Sequence, residues 1–130
     1  MKILVVDDDP TTRKVLSLYL KAKGHEVVTA ENGLDALEKL GTNLVNLIMS
    51  DLNMPYMDGI EFIKNVRAND DWNDIPVLMV STEADQDEQQ LAFDAGANGY
   101  LVKPVTAEMV NEKIKELVKS IFAKGRTHNA

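Results

Sequence analysis

The chain has 130 residues, 45% hydrophobic and 27% charged, which excludes a disordered polymer and fits one domain with a proper core. Fourteen basic against 21 acidic residues leave a net charge of −7, which argues against nucleic acid as a partner, because phosphate backbones need clustered positive charge. Zero cysteines exclude disulfides and thiolate metal sites, His25 and His128 each stand alone and offer no His-based metal pair, and neither a signal-peptide core nor a run of membrane-spanning length is present; cytoplasm is the expected compartment.

In chain order, stretches of strand character alternate with stretches of helical period, the pattern of a parallel sheet covered on both faces. The first strand is expected at 2–6, where Ile3-Leu4-Val5-Val6 runs into Asp7, Asp8 and Asp9. Asp9 followed by Pro10 reads as the N-cap and first-turn proline of a helix that stops near Gly24. A second strand, near 26–30, precedes a helix expected to stop at Gly41. The third strand, near 45–50, runs into Asp51, and Asp58 with Glu61 has capping-box spacing for the next helix. Val77-Leu78-Met79-Val80 marks a fourth strand, near 76–80, ending at Ser81-Thr82. Asp85 with Glu88 repeats the capping pattern, and Gly96 is where that helix should end. The fifth strand, 99–102, ends at Lys103-Pro104. In the last helix Val110, Ile114, Leu117, Val118 and Ile121 share one face and are expected in the core. Residues 1–124 read as a single domain and 125–130 as a short, frayed polar tail; there is no repeat and no linker.

If these strands are parallel, their carboxyl ends lie along one edge, where open α/β sheets bind ligands. Asp9 is explained as a helix cap. Asp7 and Asp8 are successive residues at one strand end, with Asp51 at the end of a strand expected beside it. Carboxylates brought together repel, raising the proton affinity of at least one unless a cation intervenes. An all-oxygen cluster suits Mg²⁺, which keeps several waters and so leaves positions open to a phosphate. Lys103 supplies a compact positive charge for a phosphoryl oxygen, and Ser81 a hydroxyl donor for another.

These marks, Val6-Asp7-Asp8, Asp51-Leu52-Asn53-Met54-Pro55 with Met57-Asp58-Gly59, Val80-Ser81-Thr82-Glu83 and Gly96 through Pro104, span residues 6 to 104. In order and spacing the chain resembles a response-regulator receiver domain of two-component signalling, most like the stand-alone chemotaxis type. The resemblance implies a doubly wound five-stranded sheet of order 2-1-3-4-5 with five helices. It implies Asp51 as phosphoacceptor from a sensor histidine kinase, with Mg²⁺ held by Asp8, Asp51 and the backbone carbonyl of Asn53, and by Asp7 through water. Ser81, Thr82 and Lys103 would meet the phosphoryl group, and Ser81 and Tyr100 would form a switch. Asn53 and Glu83 would tune dephosphorylation. The product would be a signalling protein rather than an enzyme, catalysing only its own phosphorylation and slow dephosphorylation. It would act as a cytoplasmic monomer that meets a downstream protein target on the face of the fourth helix, fifth strand and fifth helix, with no nucleic acid and no membrane.

Related roles within the same class are a phosphorelay intermediate and a receiver excised from a larger regulator. Two rivals fit less well. A flavodoxin-like flavin carrier needs a Ser/Thr/Gly phosphate loop where Asp7-Asp8-Asp9 stands, and a phosphohydrolase with an aspartate nucleophile needs an acid where Asn53 stands. Thr82 is bulkier than the alanine frequent at its position, which narrows access to Asp51. Trp72 is expected to lie away from the acid pocket.

Overall fold

A strand covered on both faces needs apolar side chains at every position, and Ile3, Leu4, Val5 and Val6 are each no more than 1% exposed. They form β1 (Lys2–Val6) of a computed structural model that describes residues 1–129, with side chains described through residue 120. The remaining elements are α1 (Pro10–Lys21), β2 (Glu26–Ala30), α2 (Gly33–Thr42), β3 (Leu47–Ser50), α3 (Gly59–Ala68), β4 (Val77–Ser81), α4 (Gln86–Ala95), β5 (Gly99–Val102) and α5 (Ala107–Asn129). All strand pairs are parallel and the order is β2-β1-β3-β4-β5, as the resemblance implies.

Alternation along the strands divides the core into two layers. Leu4, Val6, Ile48, Val77 and Met79 meet Ala36 and Leu40 of α2, Phe62, Ile63 and Val66 of α3, and Ala92 of α4. Ile3, Val5, Leu47, Met49, Leu78 and Val80 meet Leu16 and Leu20 of α1 and Val110, Ile114 and Leu117 of α5. Side chains one residue apart on a strand point to opposite faces, so both layers are filled by the same runs.

Three helix starts match the expected caps. Asp9 accepts from the backbone N–H of Thr11 and Thr12, Asp58 from Glu61, and Asp85 from Asp87 and Glu88. Among the described residues Glu61 and Glu88 return no side-chain bond, so these are N-caps without the reciprocal half of a box. The N–H of Asp85 is instead taken by Glu83 Oε1 at 2.9 Å.

Some expectations are corrected. Gly41 lies inside α2, which ends one residue later, where the Asn43 side-chain amide donates to the Lys39 carbonyl at 2.9 Å. Val118 is 40% exposed, because at eight residues past Val110 it sits at the border of the apolar stripe, flanking a surface groove with Met1, His25 and Ile114. Ile121, expected on the same stripe, lies outside the described side chains. The backbone of α5 continues past residue 124 to Asn129, where a frayed tail is expected, and Ala130 lies outside the described residues. No helix among the described residues is long and apolar enough to cross a membrane.

Candidate functional site

Sheet register decides which strand ends meet. Val6 pairs with Ser50, so Asp7 and Asp51 leave neighbouring strands side by side; Ser81 pairs with Val102, so Lys103 follows beside them. One carboxylate oxygen from each of Asp7, Asp8 and Asp51 lies within 4.8 Å of the other two. Lys103 Nζ reaches Asp7 Oδ2 at 2.8 Å and Asp51 Oδ2 at 3.5 Å. Residues nearly a hundred positions apart are thus joined at the carboxyl edge of the sheet, as expected.

The three acids are held differently. Asp7 is buried and fully engaged: Oδ1 accepts from the Asp9 N–H at 2.9 Å, Oδ2 from Lys103, and its carbonyl from Arg13 Nη1 at 2.6 Å. Asp51 is half-buried, and its Oδ1 accepts from the Leu52 N–H at 2.7 Å while Oδ2 lies 3.5 Å from the Lys103 ammonium. Asp8 is exposed. Behind Asp51, Ser50 Oγ donates to its carbonyl at 2.9 Å, and Gly59 packs so closely that a Cβ would stand 2.5 Å from the same oxygen. The glycine of the Met57-Asp58-Gly59 stretch is needed for this approach, since it lets the start of α3 press against the Asp51 loop.

Burial raises the proton affinity of Asp51 above that of an ordinary carboxylate; Lys103 opposes the rise and Asp7 adds to it, while the Leu52 N–H and the Ser81 hydroxyl oppose it further. For Lys103, burial works against the charged form, but the hydrogen bond from its ammonium to Asp7 and the charges of Asp51 and Asp7 outweigh it, so its affinity for the proton rises. One ammonium set among three carboxylates leaves an excess of negative charge. The donors are all hard oxygens, graded from buried to exposed, and the exposed side leaves room for water. That set fits Mg²⁺, a small cation that prefers oxygen ligands and gives up its waters reluctantly.

Ser81 is fully buried, its Oγ accepting from the Glu83 N–H at 3.2 Å. The Tyr100 hydroxyl donates to the Glu83 carbonyl at 2.8 Å. Burial raises the proton affinity of that phenol; Ser81 opposes the rise, and the carboxylates of Glu83, Asp51 and Glu88 reinforce it. Ser81, Glu83 and Tyr100 therefore form one connected path from the strand edge towards α4, where Phe93 lies 6.5 Å from Tyr100, ring centre to ring centre. Asn53 and Thr82 follow Asp51 and Ser81 as exposed residues on the loops leaving the two strands. Trp72 sits on the loop entering β4, at the amino-terminal edge of the sheet and away from the acids, where it borders a groove with Leu40, Val45 and Ile75.

Two contributors are absent from the expected set. Arg13 and Ser50 both bind backbone carbonyls of the acid residues, and nothing in residue type or spacing distinguishes Arg13 from the other basic side chains.

Residues 3–115 match the family described as response regulator receiver domain. The chemotaxis protein CheY1 of Helicobacter pylori (strain J99) is 41% identical over 117 residues, 88% of this chain and 94% of that protein. A chemotaxis protein CheY homolog of Campylobacter jejuni (strain 81-176) is 41% identical over 120 residues, 91% of this chain and 92% of that protein. Among solved structures, chemotaxis protein CheY4 of Vibrio cholerae gives a TM-score of 0.85 at 38% identity, covering 88% of this chain and 96% of that one.

Proposed function

Because the chain belongs to the response regulator receiver domain family, we propose that it takes a phosphoryl group onto Asp51 from a phosphohistidine of a sensor kinase and changes its partner-binding surface in response. The observation that carries this reading is the meeting of Asp7, Asp8 and Asp51 with Lys103 at one strand edge. Asp51 is the natural nucleophile among the acids. Both carboxylate oxygens of Asp7 are strongly engaged, Asp8 is exposed, and Asp51 Oδ2 is half-buried, loosely held and made more basic by its surroundings.

An Asp51 carboxylate oxygen attacks phosphorus as the phosphorus–nitrogen bond of the donor breaks. The imidazole leaves with the bond pair and takes a proton, and an acyl phosphate remains on Asp51. Lys103 holds a positive charge against the equatorial oxygens, and Ser81 and Thr82 offer hydroxyl donors near them. Asp8, Asp51 and the Asn53 carbonyl would hold Mg²⁺, with Asp7 acting through water; the ion supplies charge neutralisation of the phosphoryl oxygens. Asn53 and Glu83 flank the approach of water and tune how long the acyl phosphate lasts. On this reading the chain is a signalling protein that catalyses only its own phosphorylation and slow dephosphorylation, and it works as a monomer in the cytoplasm.

The output follows from the path Ser81, Glu83, Tyr100. Drawing the Ser81 hydroxyl towards a phosphoryl oxygen withdraws it from the Glu83 N–H, which disturbs the segment whose carbonyl holds Tyr100. The surface of α4, β5 and α5, with Leu91 and Phe93 exposed on α4, then presents a different face to a downstream protein. Chemical mapping tests the assignment. After treatment with acetyl phosphate and Mg²⁺, borohydride reduction of the acyl phosphate should leave a single homoserine in place of Asp51. Reduction product at Asp7 or Asp8 instead would overturn it.

A further inference from the structure

The geometry points to Arg13 as a positioning residue for Asp8, one that sets how tightly the acid cluster holds a divalent cation; this rests on the metal-assisted reading above. Asp8 is the exposed member of the cluster, and among the described residues its carboxylate accepts no hydrogen bond and joins no ion pair. Its aim is therefore set by its backbone.

That backbone is held from both sides. The peptide entering Asp8 is held at its oxygen, where Arg13 Nη1 donates to the Asp7 carbonyl at 2.6 Å. The peptide leaving Asp8 is held at its nitrogen, where the Asp9 N–H donates to Asp7 Oδ1 at 2.9 Å. Peptide units are planar, so restraining the planes on both sides of one Cα restrains its two dihedrals and with them the direction of Cβ. One restraint belongs to the acid cluster itself; the other arrives from α1. The Arg13 N–H is already fixed by the Asp9 carbonyl at 3.0 Å, so the guanidinium reaches back over the first turn from a rigid base. A bond from an ionised donor is stronger and shorter than a neutral one, which suits it to holding a strand end in place.

Two simpler roles give different outcomes. If Arg13 only satisfies a buried carbonyl, its loss lowers stability and leaves metal affinity alone. If it acts only as a nearby positive charge, its loss tightens the binding of a cation. Isothermal titration of the full chain with Mg²⁺ separates these roles. Positioning predicts a Kd about tenfold weaker in Arg13→Met, in the range found when groups that orient metal ligands are removed. Arg13→Lys, which keeps the charge but not the planar fork, should fall between Arg13→Met and wild type. In a cycle with Asp8→Asn the two losses should be strongly non-additive, and the acetyl phosphate reaction of Arg13→Met should approach the wild-type rate at saturating Mg²⁺. Unchanged or tighter binding by Arg13→Met, or fully additive losses, would overturn the inference alone. A wild type that binds no Mg²⁺ would overturn the functional reading and this inference together. Should Arg13→Met melt too early to titrate, Arg13→Gln, with its shorter neutral arm, is expected to bind more weakly than wild type, and equal binding counts against the inference.

Discussion

Asp51 is asked to be charged in a place that resists charge. Burial and the neighbouring Asp7 raise its proton affinity in the fold, against an ordinary value of 3.8 in the unfolded chain. When a carboxyl group binds its proton more tightly folded than unfolded, its ionisation costs stability, and the cost is complete only above the folded-state pKa. Asp51→Asn removes the ionisation. In metal-free buffer the variant should therefore melt above wild type at pH 7, and the gap should close as the pH falls through and below 3.8, under which both states of the wild type are protonated. A gap independent of pH, measured by thermal denaturation across that range, would show that ionisation of Asp51 is not its source. The acids and Lys103 were legible in the sequence because each ends an apolar run, and parallel strands bring such ends together. Arg13 was not legible: its role depends on a side chain reaching back six residues to a main-chain oxygen, and no spacing rule encodes that reach.

At the scale of elements, α4 is the least anchored helix. Ala92 is its sole buried residue, whereas α3 buries Phe62, Ile63 and Val66 along with Gly59. Its carboxyl end is better secured, because the Arg67 guanidinium donates to the Gly96 carbonyl at 2.8 Å and to Asn98 Oδ1 at 2.9 Å. Its amino end relies on the Asp85 cap and on the Glu83 segment. Elements with few buried contacts open locally before the molecule unfolds. Asp85→Ala should cost about 1 kcal/mol by loss of the cap. The loss should appear as faster amide exchange in the first turn of α4, with the strands protected as before; uniform acceleration through the sheet would contradict this. Element types were legible from apolar runs and caps, but boundaries were less so. Gly41 did not end α2 because a glycine permits a stop without requiring one, and Asn43 supplied the actual terminating bond.

For the whole molecule, strand order turns a list of residues into a site. Alternating strands and helices imply a parallel sheet, yet periodicity alone leaves the order of five strands open, and 2-1-3-4-5 came from family resemblance. With that order β1 and β3 are neighbours, and the negative charge of three acids is concentrated at their ends. A cation that binds only the folded state stabilises it by mass action. Millimolar Mg²⁺ should therefore raise Tm, and Asp8→Asn should reduce the rise; an unchanged Tm in wild type would contradict a divalent site. The central claim is tested most directly by intact mass after incubation with acetyl phosphate, with and without Mg²⁺. The account predicts a single phosphoryl adduct on wild type that requires the metal and is lost in Asp51→Asn. An adduct that persists in Asp51→Asn, or none on wild type with Mg²⁺ present, would contradict it.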